Sequence, residues 1–474
     1  MITINNVSFD YNREKNTLKN INLYIKPGEC VLLCGKSGSG KTTVTKLING
    51  LIPHFTENGR LDGTVVAAGM EVAKTELYKL SKKIGSVFQN PKSQFFNIDS
   101  DAELAYALEN MGTTPEHMRE RLKDTVEELQ LEQLEHRSIF TMSGGERQML
   151  AFASIYAMNP DIYVLDEPTA NLDENAIAIF RHQLEELKRK GKTILIAEHR
   201  LYFLTDLIDR AVYMENGELV SIYTRDEFLA FSDEQRIKMG LRTLRADAFH
   251  ATDFPMLSSA NVLTVKDLCC EIKGSCIFDH VSFHVGSGEI VGIKGNNGVG
   301  KSRLVRCICG LAKEKKGSIS LDGRPMTRRQ RNKECFCVMQ DVNHQLFCDS
   351  VWNECELSAG DYREAEIETV LRAFNLLGYK NVHPMALSGG QKQRLAIACG
   401  VLSGNKILVF DEPTSGLDYD HMMAVAGMIR ELAEKKHIIL IVSHDIEFLN
   451  CVCDRTITLT FNELQPKDNG GNRL

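Results

Sequence analysis

Two stretches of this 474-residue chain combine glycine, lysine and a hydroxyl residue in a spacing suited to holding phosphate. The first is Gly35-Lys36-Ser37-Gly38-Ser39-Gly40-Lys41-Thr42, with Thr43 behind it. The second is Gly295-Asn296-Asn297-Gly298-Val299-Gly300-Lys301-Ser302. Each follows an apolar run. The glycines let backbone N–H groups turn inward, and the helix that follows presents its positive N-terminus. Lys41 and Lys301 would reach the β- and γ-phosphates, and Thr42 and Ser302 would offer a hydroxyl to Mg²⁺. Two acid pairs, Asp166-Glu167 and Asp411-Glu412, each close an apolar strand. Such a pair is costly to bury unless it meets a cation or hydrogen-bond donors. Asp166 and Asp411 suit the Mg²⁺ shell, and Glu167 and Glu412 suit polarisation of an attacking water. His199 and His444 each stand 33 residues after the aspartate, at the end of another apolar strand, placed for a γ-phosphate contact. Ser143-Gly144-Gly145-Glu146 and Ser388-Gly389-Gly390-Gln391 have capping-box spacing, each opening a helix whose free N–H groups can bind an anion. Glycine beside the cap is a poor helix former, so its presence points to a close approach by phosphate.

Every one of these motifs occurs twice, in the same order. Lys41 and Lys301 are 260 residues apart, whereas Ser143/Ser388, Asp166/Asp411 and His199/His444 are all 245 apart. The copies therefore keep register from the serine motif to the histidine, and 15 residues are missing between Lys301 and Ser388, where loops and a helical insert can vary. Positioning these residues requires strands that end at them. Cys30 to Cys34, Ile162 to Leu165 and Thr193 to Ala197 are strand candidates, with Ile290 to Lys294, Ile407 to Phe410 and Ile438 to Val442 as counterparts. Short β-branched strands alternating with helical stretches predict α/β domains with a mainly parallel sheet, and open sheets of that kind bind ligands at strand ends. The expected organisation is a first domain over 1–241, an aperiodic linker over 242–261 and a second domain over 262–474.

Composition narrows the class. The chain is 43% hydrophobic and 25% charged, ordinary for a globular protein, which excludes disorder or collagen-like repeats as the main theme. A net charge of −7 argues against a chain built mainly to grip nucleic acid. No apolar run approaches the 18 to 20 residues, roughly, that span a bilayer, and MITINNVSFDYN is not a secretory signal. A cytosolic chain is expected, with any membrane part supplied by others. Twelve of fourteen cysteines lie from Cys269 onward without a C-x-x-C, and read as reduced, packing thiols.

The motif set resembles the ATP-binding cassette (ABC) ATPases over nearly the whole chain, twice. The resemblance implies two tandem P-loop NTPase domains, each with a mainly parallel sheet core, an antiparallel β region and a helical insert. It also implies ATP and Mg²⁺ as ligands, and a head-to-tail pairing that joins the phosphate loop of one copy to the serine motif of the other. By the same resemblance Gln89 and Gln340 are the Q-loop glutamines that contact Mg²⁺ and the membrane subunit. Asp173 and Asp418 are the D-loop residues, and Tyr11 is the aromatic that stacks on adenine. The second copy departs here: the ungapped partner of Tyr11 is Glu271, in a stretch without an aromatic. Met142 also replaces the usual leucine before Ser143. With both glutamates and both histidines present, both sites are expected to hydrolyse ATP, unequally.

After each Q-loop glutamine comes a second pattern, Gln94-Phe95-Phe96 and Gln345-Leu346-Phe347. It is similar to a segment of the energy-coupling factor (ECF) ATPases of cobalt and vitamin importers. That likeness implies a groove that receives a transmembrane scaffold subunit, which works with a substrate-binding membrane subunit, and a peripheral location on the cytoplasmic face. Rival readings are the ATPase of a carbohydrate importer and a soluble two-cassette translation factor. Arg324, Arg328, Arg329, Arg331 and Lys333 form a basic cluster read as solvated surface, and no nucleic-acid partner is expected.

Overall fold

The computed structural model describes residues 1–11, 17–56, 58–245, 261–272, 274–360 and 364–460. The chain divides into two compact units. One is drawn from Met1–Phe249 with Gly416–Met422, and the other from His250–Ser415 and Met423–Leu474. Of the expected linker, residues 246–260 lie outside the described residues, while Arg242 and Thr243 are buried.

The first unit is organised by a six-stranded sheet in the order Glu218–Thr224, Arg210–Glu215, Cys30–Cys34, Thr193–Ala197, Ile162–Asp166, Ile84–Val87. All neighbours are parallel except the edge strand Glu218–Thr224. A parallel strand covered on both faces is apolar along its buried length, hence the runs CVLLC and ILIA, with Thr193 at the strand's start accepting the Gly28 amide at 3.0 Å. Side chains alternate between two cores at the strand period of two. Val31 and Leu33 pack with Val164 and Leu195 on one face. Cys30, Leu32 and Cys34 pack with Tyr163, Leu165 and Ile196 on the other. The first face is covered by an antiparallel sheet in the order Leu18–Ile25, Ile2–Asp10, Arg60–Ala67, Met70–Glu71. The opposite core is built partly from the helices Gly144–Met158 and Glu174–Arg189, and the insert contributes Ser100–Asn110 and Pro115–Leu129.

The second unit repeats this plan. Its parallel sheet runs Cys335–Val338, Ile407–Asp411, Ile438–Val442, Ile290–Lys294, Arg455–Thr458, with no counterpart of Glu218–Thr224 among the described residues. An antiparallel sheet again flanks it: Ser275–Gly286, Val262–Ile272, Lys316–Leu321, Arg324–Pro325. Matching turns locate the missing residues. The spacing between copies falls from 260 at Gly50/Gly310 to 254 at Gly63/Gly317, then 251 at Gln89/Gln340 and 245 at Gln130/Asn375. The losses thus fall in three loop or insert segments, and every strand that carries a site residue survives. One expectation is corrected. Arg331 of the basic cluster is 1% exposed and pairs with Glu314 at 2.7 Å, because the helix Arg328–Glu334 turns it inward.

Candidate functional site: two phosphate loops with their acids

Each phosphate loop leaves its strand through a glycine that nothing else could replace without displacement. Gly35 has φ 140°, and a Cβ there would lie 2.1 Å from the Met214 carbonyl oxygen. Gly295 has φ 152°, and its Cβ would meet the Leu459 carbonyl oxygen at 2.4 Å. Inside the first loop Lys41 is 5% exposed, and its ammonium donates to the carbonyls of Gly35 (2.8 Å) and Lys36 (3.0 Å). Lys301 does the same to Gly295 (2.7 Å) and Asn296 (2.9 Å). Burial draws the Lys41 ammonium below its ordinary value, so an added anion would be welcome there. Helices Lys41–Ile48 and Lys301–Ile308 start at these lysines, with Gly40 and Gly300 left-handed at their N-termini.

The acids close strands that lie near the loop strand in the sheet. Thr42 donates from Oγ1 to Asp166 Oδ1 at 3.2 Å, and Ser302 from Oγ to Asp411 Oδ1 at 3.5 Å. Burial, reinforced by the charge of Glu167, pushes the Asp166 carboxyl up to about 7, and burial raises Asp411 as well. A hydroxyl and a buried carboxylate short of positive charge are the oxygen donors that a hard divalent cation requires. The residues present therefore fit Mg²⁺ at Thr42/Asp166 and at Ser302/Asp411.

Glu167 and Glu412 both take positive φ, 46° and 53°, as the strand breaks. Their N–H groups are tied to the Ala197 and Val442 carbonyls at 2.8 Å each, which aims the carboxylates along the loop side. His199 Nε2 lies 3.4 Å from Glu167 Oε1, and His444 Nε2 lies 3.2 Å from Glu412 Oε1. The two copies then diverge. Gln89 Nε2 donates to Glu167 Oε2 at 2.6 Å, whereas Gln340 is exposed and has no such bond to Glu412. In its place Ser443 Oγ donates to Glu412 Oε2 at 3.2 Å. The position of Ser443 in the first copy is Glu198, an acid absent from the motif reading. It is buried, accepts from Thr169 Oγ1 (2.7 Å) and from the amides of His199 (2.7 Å) and Arg200 (3.1 Å), and is raised by burial and by Glu167. Its one sequence signal was a charged residue closing an otherwise apolar strand.

The serine motifs form the expected capping boxes. Ser143 N–H donates to Glu146 Oε2 at 2.7 Å and Ser388 N–H to Gln391 Oε1 at 2.8 Å, leaving Gly144, Gly145, Gly389 and Gly390 in the first helical turn. Arg137 holds Glu146 at 2.6 Å. Met142 and Leu387 are both buried, so that difference is a packing exchange. Asp173 caps the helix Glu174–Arg189 through Ala176 N–H at 2.8 Å, and Asp418 takes His421 N–H at 2.8 Å. Tyr11 packs edge-on against Phe9 at 4.8 Å. Its counterpart needs correction: the left-handed residues Asn6 and Asp267 are 261 apart, so the strand register sets Ile272, not Glu271, opposite Tyr11.

After the Q-loop, one brace appears twice. Gln94 donates to the Ser86 carbonyl (2.9 Å) and accepts from Phe88 N–H (3.2 Å). Gln345 does the same with Cys337 (2.9 Å) and Met339 (3.2 Å). Buried Glu103 accepts the amides of Phe96 (3.0 Å) and Asn97 (2.8 Å), and Glu354 those of Phe347 (2.9 Å) and Cys348 (2.8 Å). Within each apolar pair the first side chain packs inward, while Phe96 and Phe347 stand 73% and 72% exposed.

A family model described as ABC transporter matches residues 18–170 and 278–415. A Treponema denticola protein named as an ABC transporter ATP-binding protein is 45% identical, covering 97% of this chain and 95% of its own length. One from Photobacterium profundum is 33% identical over 98% and 90%. The solved RNase-L inhibitor is 20% identical with a TM-score of 0.63, over 96% of this chain and 87% of that one, a likeness of fold. The chain belongs to the ABC transporter ATP-binding family, with two cassettes in one polypeptide.

Proposed function

We propose that this chain, which family membership makes an ATPase working on ATP with Mg²⁺, is the ATP-hydrolysing subunit of an ECF-type importer, bound peripherally at the cytoplasmic face of the membrane. It would serve a transmembrane scaffold and a small substrate-binding membrane protein that takes up a vitamin or a transition-metal ion. The observation that carries this reading is the pair of braced, exposed phenylalanines. Holding Phe96 and Phe347 in water costs the favourable transfer of a large apolar side chain, roughly 2 kcal/mol each. Buried glutamates and glutamines spent on fixing that loop support a docking surface. Tyr106 stacks on Phe96 at 5.0 Å, and Ile98 and Phe140 are exposed on the same cassette. No helix among the described residues is long and apolar enough to cross a membrane, so the membrane part would be another chain's.

In this reading Lys41 and Lys301 would hold the terminal phosphates, and Thr42, Asp166, Ser302 and Asp411 would hold Mg²⁺, which would neutralise charge on the phosphate oxygens. Each site would pair the loop of one cassette with the serine motif of the other, Gly35–Thr42 with Ser388–Gln391 and Gly295–Ser302 with Ser143–Glu146. Glu167 and Glu412 orient and polarise the attacking water, while His199 and His444 contact the γ-phosphate and steady the glutamates. Gln89 and Gln340 would sense Mg²⁺ and the membrane subunit, Asp173 and Asp418 the opposite site, and Tyr11 the adenine. The test is affinity purification of the tagged chain from detergent-solubilised native membranes with mass spectrometry. A polytopic scaffold plus a small, very hydrophobic protein supports the proposal. Two larger permeases with a binding protein would favour the carbohydrate importer, and ribosomes a translation factor; either overturns it.

A further inference from the structure

The two cassettes share a β-bulge in their antiparallel sheets, and the second copy fills it with different chemistry. In the first, the strands Ile2–Asp10 and Leu18–Ile25 slip register around Val7↔Ile21, with Asn6 and Asn20 left-handed (φ 48° and 47°). Ser8 Oγ accepts the Asn20 N–H at 2.9 Å. In the second, the register slips at Leu268↔Val281, with Asp267 and His280 left-handed (φ 47° and 51°). Cys269 stands where Ser8 does, and its sulfur accepts the His280 N–H at 3.5 Å. The neighbours change in the same sense: Lys19 and Asn20 of the first copy become Asp279 and His280. In a regular strand Asp279 and His280 would point to opposite faces. The bulge turns both toward Cys269, so that a thiol sulfur, a carboxylate oxygen and an imidazole nitrogen lie within 4.8 Å of one another.

We propose that Cys269, Asp279 and His280 form a binding site for a late first-row divalent cation of the Zn²⁺ type. The ligand atoms suit that class: sulfur, nitrogen and oxygen donors together match a borderline-soft ion, and three protein ligands leave a fourth position for water. Bonds of about 2.0–2.3 Å at tetrahedral angles put ligand atoms roughly 3.3–3.8 Å apart; His280 Nε2 already lies 3.8 Å from Asp279 Oδ2, and the set, all within 4.8 Å, needs to close by no more than about 1 Å around an ion. Asp267 Oδ1 stands 3.9 Å from His280 Nδ1, a second carboxylate on the far side of the ring. Cys269 is 6% exposed while Asp279 and His280 are exposed, so the ion would enter from solvent and seat against the buried sulfur. Lys316, paired across the strands with Cys269, is the charge that opposes a cation. Without the ion, the thiol donates its proton to the Asp267 carbonyl at 3.4 Å. Binding therefore forms the metal–sulfur bond, breaks S–H and releases one proton to water. The inference does not depend on what the protein transports.

The test is titration of the metal-stripped, nucleotide-free chain with Co²⁺, read by absorption and then competed with Zn²⁺. Expected is a thiolate-to-cobalt charge-transfer band that saturates at one Co²⁺ per chain and disappears on Zn²⁺ addition. Cys269→Ser, which installs the first cassette's residue and keeps the amide acceptor, should abolish the band. His280→Asn, likewise the first cassette's residue, should weaken Co²⁺ at least tenfold. Absence of any charge-transfer band in the native chain overturns the proposal. So does a full-strength band in Cys269→Ser, which would place the ion on other thiols.

Discussion

Replacing Asp166 with asparagine should stabilise the nucleotide-free protein as pH rises, while abolishing hydrolysis at the first site. The native carboxyl is 6% exposed, accepts a hydrogen bond from the Thr42 hydroxyl, and sits beside the charge of Glu167. Lys41 cannot compensate fully, because its ammonium is committed to the Gly35 and Lys36 carbonyls. Moving the group from its ordinary 3.8 to about 7 disfavours the charged form by a ceiling of about 4 kcal/mol, at roughly 1.4 kcal/mol per pH unit. The sign follows from linkage. Between about pH 4 and pH 7 the folded chain keeps a proton that the unfolded chain has lost, so stability contributed below pH 4 is lost as pH rises through that window. Asparagine does not titrate, and its Oδ1 can still accept from Thr42. Thermal melts of both proteins from pH 5 to pH 8 should therefore show a variant-minus-native difference that grows with pH and levels off above about 7. Even a quarter of the ceiling, about 1 kcal/mol, shifts the Tm of a cassette this size by roughly 2–4 °C. A difference that is flat across this window, or that shrinks with rising pH, refutes the reasoning.

Glu167→Gln and Glu412→Gln should each lower the steady-state rate of ATP hydrolysis, by different factors, since the two glutamates have different hydrogen-bond donors; a Glu412→Gln rate equal to native, alongside a dead Glu167→Gln, would show that only one site works. Phe96→Ala combined with Phe347→Ala should leave Tm nearly unchanged, both rings being about three-quarters exposed, but should strip membrane subunits from the purified chain in a pull-down. Glu103→Ala should behave oppositely: it leaves the Phe96 and Asn97 amides without their acceptor, at about 2 kcal/mol, and should lower Tm by several degrees.

What was legible in the sequence is what backbone geometry makes local. A phosphate loop needs glycine where φ reaches 140° and a lysine six residues on, so its letters name its structure. The strands were legible because parallel strands buried on both faces must be apolar throughout, and the acid that ends each is conspicuous for that reason. The Phe96 and Phe347 segments were half legible. Adjacent aromatic and aliphatic letters read as core, yet only the first of each pair packs inward, while the backbone N–H of the second donates to Glu103 or Glu354. The cluster at Cys269 was illegible. Its sulfur and its histidine are joined across a hairpin, 11 residues apart, and no spacing rule for metal ligands covers a bulge that rotates one side chain out of alternation.

The divergence of the two sites is similarly invisible to letter-by-letter comparison. Aligning Glu198-His199-Arg200 with Ser443-His444-Asp445 suggests that the second copy has lost an acid at one position and exchanged a base for an acid two positions on. The geometry instead moves one carboxylate by two positions. Thr169 Oγ1 gives its hydrogen bond to Glu198 at 2.7 Å, and the equivalent Thr414 gives its own to Asp445 at 3.1 Å, so the turn after each acid pair is anchored either way. The exchange has a consequence for the glutamates. With Glu198 in place, Glu167 gains no hydroxyl from that position and takes its donor from Gln89, beside His199. With Ser443 in place, Glu412 takes its donor from that hydroxyl, beside His444, and Gln340 is left free of it. Each glutamate has an imidazole beside it, and Glu412 also accepts from the His444 amide at 3.3 Å, but only Glu167 is hydrogen-bonded to its Q-loop glutamine, ahead of the loop that carries Phe96. If the glutamates polarise water as proposed, a signal from that loop has a direct Gln89–Glu167 hydrogen bond to travel through in the first cassette, whereas Gln340 makes none to Glu412, and the two sites are then expected to turn over unequally.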